Sequence, residues 1–225
     1  MRFAVNNKYV DYLHVPSSLY ADRCAQELGV DRSRFLVTTF GIPDRWNELK
    51  DKCTAPATGY VLSIGRSNRD FDFLLRVWRR EEMKDLHLVL IADTYTPKEA
   101  LPANVTHLKD VKGEASMPWM LYCDMMVLPI DDGNIASGDT VLLTGMQMKK
   151  VVVITRPSTL AEMYIQDGVD GVALDKDEAS FAQSILTLMN DTALRTRIGD
   201  AARQTYLERF SRRSMGRMIG QQLDY

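Results

Sequence analysis

Apolar runs alternate with amphipathic stretches from Tyr60 to the end of the chain. Val61-Leu-Ser-Ile, Leu88-Val-Leu-Ile-Ala, Met126-Val-Leu-Pro-Ile and Val151-Val-Val-Ile are rich in consecutive apolar and β-branched residues, as strands are when both faces are covered. The pattern predicts strands over 60–64, 86–92, 104–108, 125–129 and 151–155, with a short closing strand over 171–174. Helices are expected over 70–82, 115–122, 140–148, 177–190, 192–209 and 211–222. This order defines an α/β fold with a parallel sheet and helices on both faces.

The first part of the chain reads differently. Tyr9 to Pro16 contains a short strand pattern, Ser17 or Ser18 starts a helix through Leu28, and Arg34 to Phe40 reads as a second strand. Gly41-Ile-Pro-Asp opens an irregular stretch, and Ala55-Pro-Ala-Thr-Gly closes it as the best linker candidate.

Composition narrows the function. The 225 residues are 45% hydrophobic and 8% aromatic, enough for a buried core, and the net charge of −2 gives no basic field for nucleic acid. Arginines crowd 195–217, but Asp200 and Glu208 are mixed among them, the pattern of a solvated face. Cys24, Cys53 and Cys123 form no Cys-x-x-Cys pair, so zinc is not expected and the thiols read as structural. The N-terminal sequence lacks an apolar signal core and no window resembles a membrane span, so a cytoplasmic location is expected. His14, His87 and His107 sit in or beside strand patterns and read as structural. Motifs of zinc proteases, P-loop enzymes and α/β-hydrolases are absent.

Candidate chemistry gathers where strands end, because ligands of open parallel sheets bind at their carboxyl edge. Ser137 and Gly138 form a small-residue turn before a short helix that Asp139 or Thr140 can cap, and its first free N–H groups, near Val141, suit a phosphate oxygen. Gly65 permits a close turn after the first strand of the alternating region. Arg66 follows as a forked donor for a diphosphate or, alternatively, as a surface partner of Asp70; Ser67 and Arg69 share the turn. Asp110 to Gly113 follow another strand end. Glu162 lies in Thr159 to Glu162, either as a ligand residue or as a helix-start carboxylate.

In order and spacing, these segments resemble the donor-binding half of GT-B glycosyltransferases, closest to the family-4 type that builds bacterial capsule, lipopolysaccharide or exopolysaccharide. Val61-Leu-Ser-Ile-Gly-Arg, Leu86-His-Leu-Val-Leu-Ile-Ala, Met126-Val-Leu-Pro-Ile with 137–155, and Ala161-Glu-Met-Tyr-Ile-Gln-Asp-Gly-Val-Asp-Gly-Val carry the likeness. It implies a Rossmann-like domain over 58–225, preceded over 1–57 by the tail of an N-terminal acceptor domain and a linker. It further implies a nucleoside-diphosphate sugar held through Gly65, Arg66, the 137–141 turn and Thr144, with the nucleobase near Asp110 and the donor near Glu162. No metal is expected, since the helix terminus and Arg66 neutralise the diphosphate. A separate acceptor-domain protein, self-association and peripheral contact with the inner membrane surface are the partners implied.

The chain also departs from that family. Many relatives carry two glutamates eight positions apart; the matching positions here are Ala136 and Thr144. Ribose binding should therefore be weaker, and no catalytic residue is assigned. The rival readings are a non-catalytic nucleotide-sugar-binding or scaffold module and another GT-B enzyme such as a nucleotide-sugar epimerase.

Overall fold

The computed structural model describes residues 9–223. Two compact units divide these residues: the first runs to Asp44 and resumes at Leu207, and the second is Arg45–Tyr206.

In the first unit, β1 (Leu13–Val15) pairs in parallel with β2 (Phe35–Val37), and α1 (Ser18–Leu28) covers them. Ser17 caps α1 by accepting the Tyr20 N–H at 3.3 Å. Ala21, Val30 and Phe35 form the small core.

The second unit begins with α2 (Trp46–Lys52), inside the stretch expected to be irregular. Its seven residues are stabilised from outside: Arg45 at its N-cap forks onto Glu114 at 2.6 and 2.9 Å, and the Tyr122 hydroxyl donates to the Cys53 carbonyl at its end. A helix this short has little stability of its own, so hydrophobic periodicity gives it no signal. The second compact unit starts one residue before this helix, at Arg45. The last helix, α9 (Arg212–Gln222), groups with the first unit through an Ile42–Ser211 bridge and a Gln222 hydrogen bond to the Val37 carbonyl.

Six parallel strands make the large sheet: β3 (Tyr60–Ile64), β4 (His87–Ile91), β5 (Val105–Leu108), β6 (Met125–Leu128), β7 (Val152–Arg156) and β8 (Val172–Asp175). Their order across the sheet is β5-β4-β3-β6-β7-β8. The chain thus moves outward from β3 in one direction and from β6 in the other. α3 (Phe71–Trp78) packs on the face of Val61, Val127 and Val153, and α5 (Asp139–Gln147) on the opposite face, where Gly145 lies against Met126 and Val152. Their burial follows: Tyr60, Val61, Leu62 and all of β6 are inaccessible to solvent.

The remaining helices are α4 (Met117–Tyr122), α6 (Thr159–Tyr164), α7 (Glu178–Asn190) and α8 (Thr192–Thr205). Phe73 of α3 meets Phe181 of α7 edge to face at 5.3 Å. Two helices are shorter than expected. α3 stops at Trp78 because Asn104 donates to the Trp78 and Met83 carbonyls, terminating the ladder with a side chain from a distant loop. α8 gives way at Tyr206–Phe210 to a π-helical turn, where the Tyr206 hydroxyl meets the buried Gln147 amide at 2.9 Å. The histidines all have structural partners: His14 bonds Thr38, His87 bonds Thr106, and His107 bonds the Ala92 carbonyl.

Candidate functional site

Strand order reverses between β3 and β6, so the loops that follow these two strands flank the topological switch point. The two loops are bound into one body. The Asn68 amide donates to the Asp132 and Ile135 carbonyls at 3.0 and 3.1 Å and accepts the Asp132 N–H at 2.7 Å. Asn68 itself holds φ at 53°, a left-handed conformation that asparagine tolerates. Ser67 and Ser137 bring their hydroxyls within 3.2 Å. From the far side, Thr159 donates twice to the Gly133 carbonyl, holding the second loop against α6.

Arg69 is the centre of this body. Nη1 donates to the carbonyls of Ser67, Asn68 and Ser137 at 3.1–3.2 Å, while Nε has no hydrogen-bond partner. Burial pushes the guanidinium down to about 10, opposed by the negative charge of Asp139. Gly138 makes room for it: a Cβ there would collide with the guanidinium, and the φ of 117° is one that residues with side chains rarely adopt. Arg69 is half-buried and bonded to these loop carbonyls, so it holds the two turns together.

The helix start differs from the sequence expectation. Gly138, and neither Asp139 nor Thr140, is the N-cap of α5, and no side chain caps it. Asp139 is already in the first turn, turned inward, where burial raises its carboxyl pKa against the opposing effects of Tyr164 and Arg69. With the side chain turned away, the first N–H groups of α5 and the positive end of its dipole are left for a ligand.

A cleft of about 490 Å³ opens over this edge, lined by Ile64, Gly65, Arg66, Val111 to Gly113, Thr140, Val141 and Thr144, with Ile91, Asp93, Ser116, Met117 and Met120 completing it. Arg66 is 61% exposed and lies 3.4 Å from Asp93, not on Asp70, which caps α3. Lys112 reaches the same Asp93 oxygen at 3.4 Å from the other side. Burial pulls the Asp93 carboxyl up, but the Asp110 N–H and Lys112 hydrogen bonds, with the charges of Lys112 and Arg66, leave it below the usual range.

Of the residues expected at the site, Gly65, Arg66, Thr140, Val141 and Thr144 line this cleft, and Ser67, Arg69, Ser137, Gly138 and Asp139 lie behind its rim. Asp110 does not line it: its N–H bonds Asp93 and its exposed carboxylate takes Lys112. Glu162 borders a separate cavity of about 410 Å³ with Arg156, Asp167 and Asp175. Sequence reading passed over Asn68 and Asp93, and reached Lys112 only as part of the 110–113 segment. Asp93 follows β4 directly, so its position at a strand's carboxyl end was an available signal; the Asn68 contacts span more than sixty residues and had none. Among the described residues no group of three or more histidine, cysteine or acidic side chains could hold a metal ion, and no helix is long and apolar enough to cross a membrane.

The strand order, the switch-point cleft and the open helix terminus define the donor-side half of a GT-B fold. Residues 56–191, more than half of the chain, match the glycosyl transferases group 1 family, and the chain belongs to it. Similar solved structures include a glycosyltransferase from Rickettsia africae (15% identity, TM-score 0.67, 99% of this chain and 65% of that one). Anabaena HepE, solved with UDP, is similar at 17% identity and TM-score 0.74, over 99% and 66%. WaaG, a glycosyltransferase involved in lipopolysaccharide biosynthesis, aligns at 15% identity and TM-score 0.69, over 93% and 61%. The chain thus spans about two thirds of the length of these proteins. No curated protein sequence matches it.

Proposed function

We propose that the chain binds a nucleoside-diphosphate sugar in the switch-point cleft and serves its transfer to a saccharide or lipid-linked acceptor in bacterial surface polysaccharide synthesis. The observation that carries this reading is the uncapped N-terminus of α5 facing the same cleft as Gly65 and Arg66. HepE, solved with UDP-glucose, and WaaG, involved in lipopolysaccharide biosynthesis, support the choice of ligand and of pathway.

The diphosphate oxygens accept the free N–H groups of α5, and the Arg66 fork neutralises the charge that grows as the sugar–phosphate bond breaks. Gly65 lets the turn that carries Arg66 pack closely on Arg69, since a Cβ there would lie 2.8 Å from Arg69 Nε. Such a site needs no metal. The nucleobase lies toward Val111, Met117 and Met120, whose side chains make the apolar part of the cleft. A lipid-linked acceptor would bring the chain to the inner surface of the membrane.

Titration calorimetry with UDP-glucose, UDP and GDP, with EDTA present, tests this reading. Saturable binding of a nucleotide without metal is expected; no binding at millimolar ligand would overturn it. A binding module without transfer is the second reading, favoured because Asp93 is the sole carboxylate lining the cleft among the described residues and is held between two cations. Turnover with an oligosaccharide acceptor separates the two.

A further inference from the structure

Two anions compete for Arg66. Its main chain is fixed beside Asp93, because Thr94 Oγ1 donates to the Arg66 carbonyl at 3.0 Å, but its side chain is 61% exposed and rests 3.4 Å from Asp93 Oδ2. The donor-site reading above turns the same guanidinium onto a diphosphate. Asp93 would then lose a cation, although its side chain is only 14% exposed. A carboxylate so placed is destabilised when its counter-ion leaves and nothing replaces it.

The cleft supplies a replacement. Oδ1 accepts the Asp110 N–H at 2.8 Å, which holds the carboxylate against the loop after β5. Lys112, from the same loop, brings Nζ to 3.4 Å from Oδ2, the oxygen that faces Arg66. Two cations thus share one oxygen, and neither is closer than 3.4 Å. The other partner of Lys112 is Asp110, 3.0 Å away and 88% exposed, and a solvated pair of that kind holds weakly. Lys112 is therefore able to close on Asp93 as Arg66 leaves.

Resting on the donor-site reading, we infer that Asp93 is the resting counter-ion of Arg66 and that Lys112 is a positioning residue, which takes over this carboxylate so that the arginine turns to the diphosphate. Asp93 competes with the phosphates for Arg66, and Lys112 weakens that competition. Lys112 acts through Asp93 and does not touch the ligand.

Calorimetry on the intact chain with UDP, or with GDP if the parent prefers it, tests this in Asp93→Asn, Lys112→Gln and the double variant. Asparagine keeps an oxygen for the Asp110 N–H, so the loop contact survives the first substitution. Asp93→Asn should tighten binding and Lys112→Gln should weaken it, whereas a bridge that only held the loop would give both variants a loss. The weakening by Lys112→Gln should also be at least about threefold smaller once Asp93 is gone, since independent charges would add. A smaller difference than this would mean that the lysine meets the ligand itself, and weaker binding by Asp93→Asn would mean that the carboxylate does. Either result overturns the inference and leaves the donor site standing. If the parent binds neither UDP nor GDP, the donor-site reading fails and the inference falls with it.

Discussion

Arg69 donates from Nη1 to the main-chain carbonyl of Ser137 at 3.1 Å, joining the turn after β3 to the turn that opens α5. Both segments border the cleft, so one half-buried cation sets their spacing. The same guanidinium occupies the space that Gly138 leaves open.

Replacing Arg69 by Met should therefore destabilise the protein by about 3 kcal/mol or more, since three carbonyls lose a charged donor and Asp139 loses its nearby positive charge. Gly138→Ala should also destabilise, because its Cβ meets that guanidinium. The double variant should cost less than the two separate losses combined, as the clash disappears with the arginine. Urea unfolding of the single and double variants measures this; strict additivity would show that the two positions act independently.

Arg66→Ala should behave differently. Its side chain is mostly exposed and pairs only loosely with Asp93 at 3.4 Å, so unfolding free energy should stay within about 0.5 kcal/mol of the parent. Nucleoside-diphosphate affinity should fall by about 1.5–3 kcal/mol, the range for a charged hydrogen bond. Unchanged affinity in calorimetry would make Arg66 a surface charge.

Thr144→Glu should place a carboxylate at a position that lines the cleft and now carries only an internally bonded hydroxyl. UDP binding should tighten roughly tenfold, with 2′-deoxy-UDP gaining less, since only the full diol engages both oxygens. If UDP affinity falls instead, position 144 does not present its side chain to the ribose.

Asp139 predicts a pH effect with a defined sign. Its carboxyl is raised in the folded protein above the ordinary value of 3.8, so the folded state holds the proton longer than the unfolded state does. Ionisation therefore costs stability as pH rises from about 4 through the folded value, and the cost is constant above it. Asp139→Asn removes this component, so the stability difference, variant minus parent, should increase over that interval and then level. Carboxylates with lowered values, such as Asp93, have the opposite slope but cancel in the difference. A flat difference in urea unfolding from pH 3.5 to 7 would contradict the inward, desolvated placement of Asp139.

Much of the fold was written in local pattern. Residues such as Val61, Val127 and Val153 lie in apolar runs because strands covered on both faces leave no polar side, and the inner strands of the sheet follow from that alone. Gly65-Arg and Ser137-Gly-Asp were legible as turn chemistry at strand ends. Their cleft-lining residues Gly65, Arg66, Thr140 and Val141 were named from the same signal.

Tertiary structure decided what periodicity does not encode. Short α2 exists through Glu114 and Tyr122, which are distant in sequence, and α3 ends where Asn104 reaches its carbonyls. Arg66 and Arg69 look alike in sequence, three positions apart in one turn, yet one lines the cleft and the other is half-buried and bonded to the carbonyls of Ser67, Asn68 and Ser137. Composition names the cations and turn residues that a phosphate site needs. Which cation meets the ligand depends on backbone direction and on the space left by Gly138, and those are fixed only when β3 and β6 lie side by side.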